Sequence, residues 1–88
     1  MIFTIAFDIK DVERTSLLLV RISELGGCIQ YLSNSVFLQN SKMTATQIYE
    51  DLRKITKDED RLLVVKIKKD EIMGWLSSTA VAWIREHN

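Results

Sequence analysis

The sequence has no proline, three glycines and one cysteine. With glycine confined to Gly26, Gly27 and Gly74, it lacks the composition of a flexible or semi-rigid linker. Ordered structure is therefore expected to run almost unbroken along the chain. A lone cysteine, Cys28, cannot close an internal disulfide, so nothing points to an oxidising compartment. Neither sign of charge is in excess, with 12 basic and 12 acidic side chains. A dedicated nucleic-acid binder shows a basic surplus, because phosphate contacts dominate its affinity. Any such binding here has to come from a local cluster. No apolar run approaches the roughly 20 residues of a membrane-spanning helix, so no membrane partner is expected. The opening MIFTIAFDIK has neither a basic leader nor a small-residue cleavage site. It does not read as a signal peptide, and the cytoplasm is the expected location.

What the sequence does hold is a thin but sufficient core. At 88 residues and 47% apolar, it reads as one domain, burying only about 60% of the surface its unfolded chain exposes. Extra burial through self-association is expected of such a chain.

Ile2 to Asp8 alternates, with Phe3, Ile5 and Phe7 on one side and Thr4, Ala6 and Asp8 on the other. That period of two predicts a strand ending at Asp8. Asp11 then caps a helix running to about Leu25, with Leu18, Ile22 and Leu25 on its apolar face. Gly26-Gly27 ends it, the pair being expected to supply a left-handed cap. Cys28 to Leu32 and Ser35 to Gln39 flank Ser33-Asn34 as a tight hairpin. Thr44 and Gln47 form a capping box opening a second helix, with Ile48, Leu52 and Ile55 as its stripe. The acidic turn Lys57-Asp58-Glu59-Asp60, expected to be solvated, leads into a last strand, Arg61 to Ile67. Both faces of most of that strand are apolar. Ser77 or Ser78 caps a short terminal helix carrying Val81, Trp83 and Ile84. Trp75 and Trp83 are expected to close one side or end of the sheet.

The order β-α-β-β-α-β predicts an α+β domain with a ferredoxin-like antiparallel sheet and a C-terminal helical tail. Both helices should lie on one face. The other face needs the tail, a partner subunit or water, and the apolar last strand argues against water.

Asp8 is the first residue that suggests chemistry. It closes a strand expected to be central, at the rim of the sheet, and hard divalent cations prefer such oxygen ligands. A symmetric dimer would double that carboxylate and could hold one metal between subunits. Position alone favours a solvated strand-end aspartate. Ser35 could position water or phosphate. It is a poor nucleophile, since the one histidine, His87, sits next to the C-terminus, where it is expected to be solvated. Lys10, Arg14, Lys66, Lys68 and Lys69 could contact phosphate, although basic residues on a strand more often discourage edge-to-edge pairing. Cys28 reads as a small packing residue. No glycine-rich phosphate loop, zinc pattern or catalytic triad occurs.

Phe7-Asp8-Ile9 closing the first strand, a helix ending in glycine, and Ile29-Gln30-Tyr31 leading to Ser35-Val36-Phe37 resemble the second CRISPR-associated protein family. That family comprises small ferredoxin-like dimers of spacer acquisition, some of them metal-dependent nucleases. The resemblance matches the family's first-strand aspartate to Asp8, its serine-valine-phenylalanine strand to Ser35-Val36-Phe37, and its first-helix arginine to Arg14. Ser33-Asn34 is extra length before Ser35 relative to that pattern. Over nearly its whole length the sequence is similar to the SinR-like family of short bacterial and phage proteins, relatives of those nucleases. Asp8, Leu32 to Phe37, Glu59-Asp60-Arg61-Leu62, Gly74-Trp75-Leu76 and Trp83-Ile84 carry this likeness.

The resemblance implies a homodimer associated with RNA or DNA. One form is a magnesium- or manganese-dependent endonuclease using Asp8 from each subunit, with Ser35 beside it. The rival is a non-catalytic module that binds a protein in a phage defence, counter-defence or toxin-antitoxin setting. Neutral net charge and one obvious acid per subunit favour the rival. A ribonuclease toxin like the virulence-associated D proteins shares the fold, but no residue here singles it out.

Overall fold

The computed structural model describes residues 1–68 and 71–87. Lys69, one of the basic candidates, lies outside them. The elements in chain order are β1 (Ile2–Asp8), α1 (Val12–Leu25), β2 (Cys28–Leu32), β3 (Ser35–Gln39), α2 (Ala45–Arg53), β4 (Arg61–Ile67) and α3 (Ser78–Glu86). The four strands form one antiparallel sheet in the order β2-β3-β1-β4. β1 is therefore central, as the element order predicts, and β4 is an edge.

The alternation decides which way each strand faces. Phe3, Ile5 and Phe7 of β1 and Val36 and Leu38 of β3 join Leu18 and Ile22 of α1 and Ile48 and Leu52 of α2 in one buried cluster. Leu62 and Val64 of β4 pack against it. Both helices thus cover the same face. Each fully buried side chain of this size contributes about 1.5–3 kcal/mol.

The caps follow the local sequence. The Asp11 carboxylate accepts from the Glu13 amide at 2.7 Å, at the start of α1. At α2 the Gln47 amide donates to Thr44 Oγ1 at 3.1 Å, and the Thr44 amide donates to Gln47 Oε1 at 2.9 Å. This reciprocal pair satisfies two otherwise orphan donors.

The end of α1 departs from expectation. Gly26 has φ 160° and ψ −175°, which is extended backbone and not a left-handed cap. Close approach is what requires glycine here. A Cβ at position 26 would lie 2.0 Å from the backbone oxygen of Gln39. The neighbouring Gly27 carbonyl accepts from the Gln39 amide at 2.8 Å. The glycine pair is where the end of α1 meets the end of β3.

The second face of the sheet is only partly covered. α3, capped by Ser77, lies against it on the β2 side. Trp83 sits parallel to Phe37 with ring centroids 6.1 Å apart, and Tyr31 stacks on Phe37 at 3.8 Å. The Tyr31 hydroxyl hydrogen-bonds Thr4 Oγ1 on β1. His87, expected to be solvated, is instead half-buried and stacks on Trp83 at 4.0 Å, its Nδ1 2.8 Å from the Trp83 carbonyl. Trp83 thus closes the sheet, whereas Trp75 does not and is wholly exposed.

Candidate functional site

Asp8 is the last residue of β1, and antiparallel register sets it opposite Arg61, the first residue of β4. The hairpin turn comes in from the other side, because the Phe7 amide donates to the Asn34 carbonyl at 3.0 Å. These elements enclose a cleft of about 280 Å³, lined by Ala6, Phe7, Asp8, Asn34, Arg61, Leu62 and Leu63.

Within this rim the Asp8 carboxylate accepts from Lys10 Nζ at 2.9 Å. Both side chains are more than half exposed, at 61% and 54%. An ion pair so exposed contributes little stability and rearranges readily. Arg61 Nη1 donates to the carbonyls of Asp58 and Asp60 at 3.1 and 2.9 Å. Those carbonyls orient the guanidinium without cancelling its charge.

Ser35 stands just behind the cleft. It pairs with Ala6 across the sheet, is buried, and donates to Asn34 Oδ1 at 3.4 Å. Its hydroxyl supports the turn that carries Asn34.

The four described basic candidates do not converge. Lys66 pairs with Phe3, which is five strand positions from Asp8, or roughly 17 Å at strand rise. Lys68 follows beyond the end of β4. Only Lys10 lies beside Asp8. Arg14 is engaged elsewhere. Its Nε and Nη2 donate to the two oxygens of Asp60, both at 3.0 Å, and its Nη1 and Nη2 also reach Asp11 and Glu59 at 3.2 and 3.0 Å. Its side chain is 11% exposed.

Asp60 was expected in a solvated turn, yet its side chain is fully buried. Besides Arg14 it accepts from the Lys10 and Lys57 amides, each at 2.9 Å. The carboxylate therefore ties the β1–α1 loop to the turn before β4. It also fixes the backbone from which Lys10 reaches Asp8. Hydrogen bonding from Arg14 holds the Asp60 carboxyl well below the usual carboxylate range, and the same bond raises Arg14. A second pair links the helices, with Arg21 donating Nε and Nη2 to Asp51 at 2.8 Å each. Arg21 lowers the Asp51 pKa. Burial pushes the Cys28 thiol up, which keeps it protonated and fits a packing residue.

As a cation site the rim is sparse. It offers one carboxylate, already paired with Lys10, where a hard divalent cation takes about six or more oxygens. Among the described residues no group of three or more His, Cys, Asp or Glu side chains is placed to hold a metal.

Asn34 and Arg61 are rim residues that residue-type reasoning passes over. Asn34 reads as a turn former and Arg61 as a strand start. The element order already sets the start of the last strand beside the end of the first, and that is the signal that points to Arg61.

No family model and no curated protein matches the sequence. Among solved structures the chain is similar to the crystal structure of a hypothetical protein TT1823 from Thermus thermophilus. The TM-score is 0.66 at 15% identity, covering 86% of this chain and 93% of that one. At that identity the likeness speaks to the fold alone.

Proposed function

We propose that this chain is a homodimeric, nucleic-acid-associated protein of ferredoxin-like fold, whose rim around Asp8 contacts phosphate without hydrolysing it. The β-α-β-β-α-β order, the antiparallel arrangement β2-β3-β1-β4 and the two helices on one face support the fold. One observation carries the function. Lys10, Arg61 and the Asn34 turn converge on a single rim that holds one carboxylate. Lys10 and Arg61 are two cations beside the Asp8 carboxylate, the neighbouring Asp11, Glu59 and Asp60 being taken up by Arg14, in a chain of zero net charge. Such a cluster is what phosphate contact requires.

A second reading, a magnesium- or manganese-dependent endonuclease, is favoured by where Asp8 sits. It lies on the strand side opposite Phe3, Ile5 and Phe7, next to Ala6 and Leu63 in the cleft. A second copy docked over that side would bring a second Asp8 close, and paired carboxylates could then hold a cation that activates water.

Titration with labelled RNA and DNA, with and without magnesium or manganese, separates the readings. The first expects salt-sensitive binding and no metal-dependent cleavage. Cleavage that requires both metal and Asp8 replaces it with the second. Neither binding nor cleavage removes both and leaves a protein-binding module.

A further inference from the structure

The second face of the sheet is covered unevenly. α3 lies over β2 and β3, while on β4 Leu63 and Val65 remain 58% and 39% exposed. The segment from 71 to 77, which joins β4 to α3, carries Met73 at 96% and Trp75 at 100% exposure. Its Ile72 and Leu76 are half-buried. On its C-terminal side the segment is held by α3 through Trp83 on Phe37. Ile72 and Leu76 are thus the more buried side chains of this segment, and Met73 and Trp75 face solvent.

We propose that the other molecule is a second copy of this chain, Met73 and Trp75 of each subunit covering Leu63 and Val65 of its partner about a two-fold axis. An isologous contact needs both halves of the interface on one surface. Here the acceptor strip ends at Val65 and the donor segment begins at 71, a short distance on in the sequence. The areas agree. Near-complete exposure of Trp75 and Met73, with the exposed parts of Leu63 and Val65, leaves roughly 500 Å² of apolar surface per copy. A standard interface buries about 800 Å² per partner, of which about 57–65% is apolar. Zero net charge opposes no approach of like copies. Tryptophan in an apolar patch is a frequent binding hot spot. This inference rests on the dimer reading above and adds the surface that makes the dimer.

Sedimentation equilibrium over a wide concentration range tests it, comparing the wild type with Trp75→Ala and Leu63→Asp. The wild type is expected to be dimeric. Each variant should associate at least about tenfold more weakly, with an unchanged far-ultraviolet circular dichroism spectrum. In Trp83→Phe protein, Trp75 is the remaining tryptophan, and its emission should shift to the red on dilution. A dimer of undiminished strength in both variants overturns this interface and leaves the dimer reading standing. A wild type that stays monomeric overturns both.

Discussion

Arg14 and Asp60 meet as a two-pronged ion pair, Nε on one carboxylate oxygen and Nη2 on the other, each at 3.0 Å. The residues are 46 positions apart in the chain. With the amides of Lys10 and Lys57 also donating to Asp60, each oxygen accepts two hydrogen bonds. A carboxylate so fully satisfied is costly to protonate.

Its folded pKa therefore lies well below the unfolded carboxylate value, which is about 3.9. Between the two values the unfolded state binds more protons, so stability falls as pH falls. The contribution is complete above about pH 4 and is lost as pH drops through the folded value. Acid titration followed by circular dichroism should show wild-type stability declining below about pH 4. Asp51 acts in the same direction, through Arg21. In Asp60→Asn the protein should start several degrees lower in Tm at neutral pH and lose less on acidification. An unchanged acid limb in that variant would contradict the assignment.

Gly26→Ala should destabilise by about 1–3 kcal/mol, the range for forcing extra volume into a packed site. The obstacle is the Gln39 backbone oxygen, 2.0 Å from the new Cβ, and a strand backbone cannot rotate away as a side chain does. Gly74→Ala is the control. Nothing lies within 4 Å of its added methyl, so the change should stay within about 0.5 kcal/mol. Urea midpoints for the two variants measure the difference.

Much of this architecture can be read from residue order, and the reasons are local. The strand ending at Asp8, the Thr44–Gln47 capping box and a serine cap at 77 or 78 each depend on neighbours within a few positions. Interactions between distant segments are what residue order conceals. Asp60 looks like one of three acids in a charged turn, and only folding brings Arg14 against it. Gly26 looks like a helix cap until the end of β3 arrives beside it. At the rim, Asp8 is legible from the end of its strand, but Asn34 joins it only because the Phe7 amide takes the Asn34 carbonyl. Trp75 and Trp83 have the same chemistry in the sequence. Their fates differ because α3 turns one of them onto Phe37.

That stacking carries α3. A helix of nine residues is shorter than the about 12–15 at which isolated helices become even marginal in water, so its stability must come from packing. Trp83→Ala removes the ring between Phe37 and His87. The expected outcome is loss of α3 helicity in the far-ultraviolet spectrum and faster proteolysis after residue 70. The sheet and α1 and α2, whose core is a separate cluster, should still unfold cooperatively. His87→Ala, which removes only the outer ring, should have the smaller effect on both readouts.

Salt dependence gives the sharpest test of the rim. Each phosphate contact made by a cation releases counterions, so removing one should lower the slope of log K against log salt by roughly 0.7–0.9. If Lys10 and Arg61 touch phosphate, Lys10→Ala and Arg61→Ala should each reduce the slope by about that amount. Lys66→Ala, at the far end of β4 from Asp8, should leave it unchanged. Asp8→Asn should strengthen binding, because it frees Lys10 from its 2.9 Å ion pair and removes a charge of phosphate's own sign. Loss of slope in Lys66→Ala, with none in Lys10→Ala or Arg61→Ala, would move the contact surface away from this rim. Binding that needs added metal in the wild type and is weakened in Asp8→Asn would instead make the carboxylate a ligand. The sign of the Asp8→Asn effect therefore separates phosphate contact from metal-assisted contact before any cleavage assay is run.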